Sequence, residues 1–155
     1  MPELQKLQLP EYQFRFRTFE QSKQIFDPIR KKFVSLTPEE WVRQNLLMYF
    51  TTDLEYPLSL INIEKGMNLY RLSKRTDLII HDSEGSPWML VECKAPDIKI
   101  DQKVVDQICR YNIVHKAPYL FLSNGMKHYI LKLEGETYKT INSVPKHNEN
   151  KILKP

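Results

Sequence analysis

The sequence predicts an α/β domain, with a mixed central β-sheet flanked by helices and an N-terminal β-hairpin ahead of it. Three observations carry this. From Thr37 onward the local patterns run helix, three strands, helix, strand and hairpin, the order of an α/β layer architecture. The chain has 155 residues, 41% apolar and 27% charged, enough to bury a core without staples. Ten prolines against four glycines point to stiff connections rather than flexible linkers.

The elements follow in chain order. Residues 11 to 18 alternate, with Tyr12, Phe14 and Phe16 on one face and Gln13, Arg15 and Arg17 on the other, a half-buried strand. A second extended stretch runs from about Gln24 to Val34, interrupted by Asp27-Pro28, and pairs with the first as a hairpin. Thr37-Pro38-Glu39-Glu40 opens a helix: Thr37 caps it, Pro38 suits its first position, and Glu40 is the capping-box acid. Val42, Leu46, Tyr49 and Phe50 share one face, and the helix should end near Thr52. Strands are expected at Leu58 to Glu64, Thr76 to His81 and Pro87 to Lys94, the last two joined by the turn Asp82-Ser83-Glu84-Gly85-Ser86. Ile100 to His115 carries a helical stripe of Ile100, Val104, Ile108 and Tyr111. Pro118 to Ser123 is a short apolar strand, and His128 to Leu133 and Thr137 to Ile141 close the fold as a hairpin. The expected organisation is a 1–35 arm packed on a 36–145 core, with 146–155 as a frayed tail.

Composition excludes several classes. A net charge of +4 permits a polyanionic partner without demanding one. Cys93 and Cys109 lack zinc spacing, and two thiols without a paired framework suit a reducing, cytoplasmic compartment. The N-terminus has no basic-then-apolar signal pattern, and no apolar run approaches the ~20 residues that span a bilayer, so no membrane is expected. The four histidines, His81, His115, His128 and His147, sit in unrelated contexts, and no glycine-rich phosphate loop exists.

Chemistry concentrates at three residues. A hairpin turning at Glu84-Gly85 sets Asp77 opposite Glu92 on adjacent strands, with their Cβ atoms ~5 Å apart. Two carboxylates that close repel, and a hard divalent cation such as Mg²⁺ removes the conflict. Lys94, two residues beyond Glu92, emerges on the same sheet face, where an ammonium can orient an attacking water or offset charge on a phosphate. The bland alternative is a cross-strand salt bridge of Lys94 with Asp77 or Glu92. Cys93 points to the opposite face, toward the core. Gln107 and Tyr111, four apart on the second helix, share a face and could turn an amide and a phenol to the site; otherwise Tyr111 is core and Gln107 solvated. Glu40 and Glu64 read as a capping acid and a solvated strand end, or as further acids near the metal.

Together these residues resemble the PD-(D/E)XK nuclease superfamily, and more narrowly the small proteins related to the N-terminal nuclease domain of type I restriction enzyme R subunits. The resemblance runs from about Ile25 to Ile141 and rests on LTPEEWVRQ, INIEKG, RTDLII, LVECKAP and DQICRY. It implies a restriction-endonuclease-like core, and a Mg²⁺ (or Mn²⁺) held by Asp77, Glu92 and the Cys93 backbone carbonyl. It further implies Lys94 assisting the water, a Gln-x-x-x-Tyr motif at Gln107 and Tyr111, and a helix acid at Glu40. Thr76 stands where the motif's name has proline, a frequent departure. Full R subunits carry an ATP-driven translocase, and no G-x-x-x-x-G-K-[ST] segment is present here. The expected partners are therefore DNA and either a second copy or a separate motor or specificity subunit.

For DNA contact, Lys74, Arg75, Lys99, Lys103 and Arg43 are the leading candidates to track phosphates near the cleft, with Arg15, Arg17, Arg30, Lys31, Lys32 and Arg110 further ones; a solvated charged surface is the plainer reading of any single one of them. The aromatic and basic alternation from Tyr12 to Arg17 reads equally as a DNA arm or as an edge strand with basic gatekeepers. Three functions remain: a Mg²⁺-dependent deoxyribonuclease, a non-cleaving nucleic-acid-binding module, and a subunit of a larger restriction or defence assembly. The intact Asp, Glu and Lys set favours the first over the second, and the small size and modest charge keep the third open.

Overall fold

The computed structural model describes residues 4–63 and 77–147. Glu64, Lys74 and Arg75 lie outside the described residues. Strands β1 (Phe16–Phe19), β2 (Ser22–Asp27) and β3 (Lys32–Ser35) form one antiparallel sheet. Strands β4 (Ile61–Ile63), β5 (Leu78–His81), β6 (Pro87–Cys93), β7 (Tyr119–Ser123), β8 (His128–Glu134) and β9 (Thr137–Ile141) form a second, six-stranded sheet in that order. Among the described strands only β6 and β7 run parallel, joined across helix α2 (Gln102–His115). The sheet is therefore mixed, as expected.

The N-terminal arm departs from the expected hairpin by one strand. Asp27-Pro28 does not interrupt an extended run; it turns the chain. The Asp27 Oδ1 accepts the backbone N–H of Ile29 (2.8 Å) and Arg30 (3.1 Å), an aspartate turn that folds β3 back on β2. At the other end the strand expected over 11–18 is in registered pairing only from Phe16, with the Arg15 carbonyl accepting the Phe26 N–H at 2.9 Å just ahead of it. It closes through Glu20 (φ 48°) and Gln21 (φ 66°), the doubly positive pair a two-residue hairpin turn needs.

Helix α1 (Pro38–Met48) starts where Thr37 Oγ1 accepts the Glu40 N–H at 3.0 Å. The reciprocal half of the capping box is not made. The Thr37 N–H goes to the Ser35 carbonyl at 3.1 Å, and the Glu40 carboxylate is drawn to arginines instead. A π-helical turn, Tyr49–Asp53, extends the helix to about its expected end. The expected strand from Leu58 begins with a 3₁₀ turn and pairs only over Ile61–Ile63.

The two helices cover opposite faces of the large sheet. Val42 and Leu46 of α1, with Phe50 of the π-helical turn, pack on Leu78, Ile80, Met89, Val91 and Phe121. Ile108 of α2, with Ile100 and Ala117, packs on Ile79, Leu90, Leu120 and Leu122. Alternation along β5, β6 and β7 sends odd and even positions to different helices, so the central strands are apolar on both sides. Each such buried aliphatic side chain contributes about 1.5–3 kcal/mol. Gly125 (φ 84°) closes the β7–β8 turn against Leu7; a Cβ there would meet the Leu7 side chain at 2.7 Å.

Candidate functional site

Strand β6 changes character along its length. Met89, Leu90 and Val91 are wholly buried, and then come Glu92, Cys93 and Lys94. Cys93 packs with the α1-side cluster, so its neighbours Glu92 and Lys94 emerge on the α2 side. The Lys94 N–H bonds to the Ser123 carbonyl at 2.9 Å, which pins this strand end to β7. Burial and the nearby Asp77 charge push the Cys93 thiol well up, as befits a core residue and not a nucleophile.

Asp77 reaches the same strand end from β5. The expected register holds at Leu78–Val91, Ile79–Leu90 and Ile80–Met89, then slips so that His81 faces Pro87. It stops one residue short of Asp77, so Asp77 and Glu92 are not a registered cross-strand pair. The Asp77 N–H bonds to the Val91 carbonyl at 2.9 Å, and its carboxylate Oδ2 accepts the Cys93 N–H at 2.7 Å. The side chain thus takes the place of a ladder partner, while Arg43 Nη2 holds Oδ1 at 2.5 Å.

Arg43 belongs to a chain of charges. Its guanidinium also meets Glu40 at 2.8 Å, and Glu40 meets Arg30 at 2.8 Å. Arg30 in turn holds the fully buried Asp27 at 2.6 Å. Burial alone would lower the Arg43 pKa, but the surrounding carboxylates, Asp77 foremost, hold it above its ordinary value. Arg43 was expected to touch phosphate; the structure spends it on carboxylates. Arg30, another expected surface cation, is likewise turned inward. Asp27 and Arg30 were not foreseen as parts of the site. The signal for them was the Asp27-Pro28 turn with an arginine three residues on.

The Glu92 half is satisfied less well. Its one ion pair among the described residues is with Lys94, at 3.4 Å. Burial first, then the Asp77 charge, raise the Glu92 carboxyl to about 7, and Lys94 offsets only part of that. Along the whole cluster the carboxylates of Asp27, Glu40, Asp77 and Glu92 outnumber the cations Arg30, Arg43 and Lys94.

That imbalance fits a hard cation. The available donors are oxygens: Asp77, Glu92 and the Cys93 carbonyl, which leaves the strand on the side of its Asp77-bound N–H. Among the described residues no group of three or more His, Cys, Asp and Glu side chains is arranged for a metal. Two carboxylates, a carbonyl and water suit Mg²⁺ and not zinc.

The remaining expected residues divide. Gln107 and Lys103 line a cleft of about 410 Å³ together with Lys94, Asp101, Asp106 and Arg110. Tyr111 does not line it; the ring packs on the α2-side apolar cluster, 4.7 Å from His115. Lys99 is exposed in the β6–α2 connection, outside that cleft lining. Glu40 is buried behind Asp77 and reaches it only through Arg43.

Fold and site define an α/β domain whose mixed sheet ends, between two helices, in a cluster of acids and a lysine. The chain belongs to the family of the type I restriction enzyme R protein N terminus, whose model matches residues 38–145. The match takes in α1 through β9, with Arg43, Asp77, Glu92, Lys94 and Gln107, and leaves the three-stranded sheet outside. Membership ties the chain to restriction systems and their larger assemblies. No curated protein matches the chain. No helix among the described residues is long and apolar enough to cross a membrane.

Proposed function

We propose that the chain is a Mg²⁺-dependent deoxyribonuclease of the PD-(D/E)XK type, with a restriction-endonuclease-like core, that hydrolyses phosphodiester bonds in DNA. The observation that carries this is the meeting of Asp77, Glu92 and Lys94 at the end of β6 in a cluster with more carboxylates than cations. Asp77, Glu92 and the Cys93 carbonyl would hold Mg²⁺, or Mn²⁺ in its place. When bound, the ion would acidify a water and offset negative charge on the phosphate.

The chain's own residues supply the rest. Arg43 and the Cys93 N–H fix the orientation of the Asp77 carboxylate. Lys94, pinned by its backbone to Ser123 and open to the α2 cleft, orients the attacking water and faces the charge that builds on phosphorus-bound oxygen. Gln107 and Lys103, on the same cleft, bind phosphate oxygens, and Lys99 extends the track. Tyr111 steadies α2 by packing. Such an enzyme works in the cytoplasm, with a second copy or a separate motor or specificity subunit as partner.

The test is cleavage of plasmid, linear duplex and single-stranded DNA with Mg²⁺ or Mn²⁺, wild type beside Lys94→Ala. Cutting by wild type alone supports the reading. Undiminished cutting by Lys94→Ala sinks it.

One observation favours a second reading, a DNA-binding module that does not cleave: both Asp77 oxygens already accept protein donors. Each carboxylate oxygen keeps a further lone pair, which is why cleavage remains the first reading. Ion binding without cutting on any substrate would select the second.

A further inference from the structure

The outer face of the three-stranded sheet has no part in the cleft and lies outside the family match. Pairing places Phe16 against Ile25 and Ile25 against Val34, and Ile25 is wholly buried, so that face is the inner one. The alternate positions therefore face outward: Arg15, Arg17 and Phe19 in and ahead of β1, Phe26 in β2, Phe33 in β3. Phe19 is 52% exposed. The Arg15 guanidinium lies 4.5 Å over the Phe26 ring, and Arg17 lies 4.4 Å over Phe33 and 5.3 Å over Phe19. The other outward positions are Ser22, Gln24 and Ser35; none is acidic.

We infer that this face is a binding platform for single-stranded nucleic acid. Its apolar surface is wholly aromatic, and its charges are wholly positive. The exposed Phe19 ring, and the guanidinium planes lying on Phe26 and Phe33, are surfaces on which unpaired bases stack, and the guanidinium N–H edges reach toward phosphates. A duplex hides its base faces, so stacking surfaces of this kind serve a single strand. Arg15, Arg17 and Phe19 are two residues apart along the chain, a step of about 6.7 Å that one nucleotide of a stretched strand can follow. The platform is independent of the cleavage reading, because it needs neither metal nor Lys94.

The experiment is fluorescence anisotropy of a labelled oligothymidylate of about twenty nucleotides. It is run in EDTA on the full chain, which separates it from any failure of cleavage. Wild type should bind, and Phe19→Ala should weaken binding about fivefold or more while leaving the fold intact, since the ring is largely exposed. Arg15→Gln with Arg17→Gln should lower the salt dependence of binding by about 1.4 in log–log slope. A duplex of the same length should bind more weakly than the single strand. The platform is overturned by absence of binding at low salt, by wild-type affinity in both variants, or by duplex binding as tight as single-strand binding. It is overturned also if poly-glutamate displaces the probe as well as unlabelled oligothymidylate does, which would mark a basic surface for acidic proteins.

Discussion

The Arg43 half of the charge cluster and the Glu92–Lys94 half meet at Asp77, yet they are satisfied to different degrees. In the first, Asp27, Arg30, Glu40, Arg43 and Asp77 are linked in sequence by contacts of 2.5–2.8 Å. In the second, a half-exposed lysine sits 3.4 Å from a carboxyl that burial and Asp77 raise to about 7. The difference teaches where to look for chemistry. Charges linked by contacts under 3 Å hold geometry; a carboxyl short of compensation is where the proposed cation would be taken up.

Arg43→Ala should break the comparison most. It strands Glu40 and Asp77 without their shared cation, and should cost about 3–5 kcal/mol in a urea unfolding titration. An unchanged midpoint would mean the first half holds nothing in place. Lys94→Ala should do the reverse. Its long, partly exposed ion pair contributes little, so stability should change by less than about 1 kcal/mol. Cleavage of plasmid DNA should fall about a hundredfold to a thousandfold. Equal damage to stability from both variants would erase the distinction between the halves.

Glu92→Gln sharpens it with pH. The folded carboxyl titrates near 7, above its ordinary 4.5, so the folded chain keeps a proton that the unfolded chain loses first. Stability of the metal-free protein should therefore decline from this group as pH rises from about 4.5 through 7. At pH 8 in EDTA, Glu92→Gln should be the more stable protein, by roughly 1–3 kcal/mol, and the two should converge near pH 4.5. A glutamine variant less stable at pH 8 would place Glu92 in the compensated half. The smallest effect belongs to Thr37→Ala, which removes the cap of the turn that carries Glu40 and should cost about 1 kcal/mol on thermal unfolding.

Much of this was legible in the chain. The turn at Glu84-Gly85 sets most of the β5–β6 register, and the Glu-x-Lys at the end of an apolar strand points to the candidate site. Thr37-Pro38 located α1 because capping is local chemistry. The third strand of the N-terminal sheet was hidden by Asp27-Pro28, which reads alike as an interruption or as a turn; the choice was made by two backbone N–H groups turning onto the Asp27 carboxylate. The carboxylate partners of Arg43 and Arg30 were hidden for a related reason. Helical spacing gives the face of an arginine but not the partners that tertiary packing brings, and those partners here are 10 to 34 residues away. Asp77 falls outside the ladder because its carboxylate takes the Cys93 N–H on one oxygen and Arg43 on the other, contacts invisible in strand pairing alone.

The most direct test of cation uptake at Asp77 and Glu92 is a Mn²⁺ titration followed by electron paramagnetic resonance at pH 8. Wild type would be run beside Asp77→Asn and Glu92→Gln. The predicted result is saturable binding of a single ion to wild type, weakened about tenfold or more in each variant. Binding of equal strength in Glu92→Gln, or no binding to wild type at millimolar Mn²⁺, would contradict it.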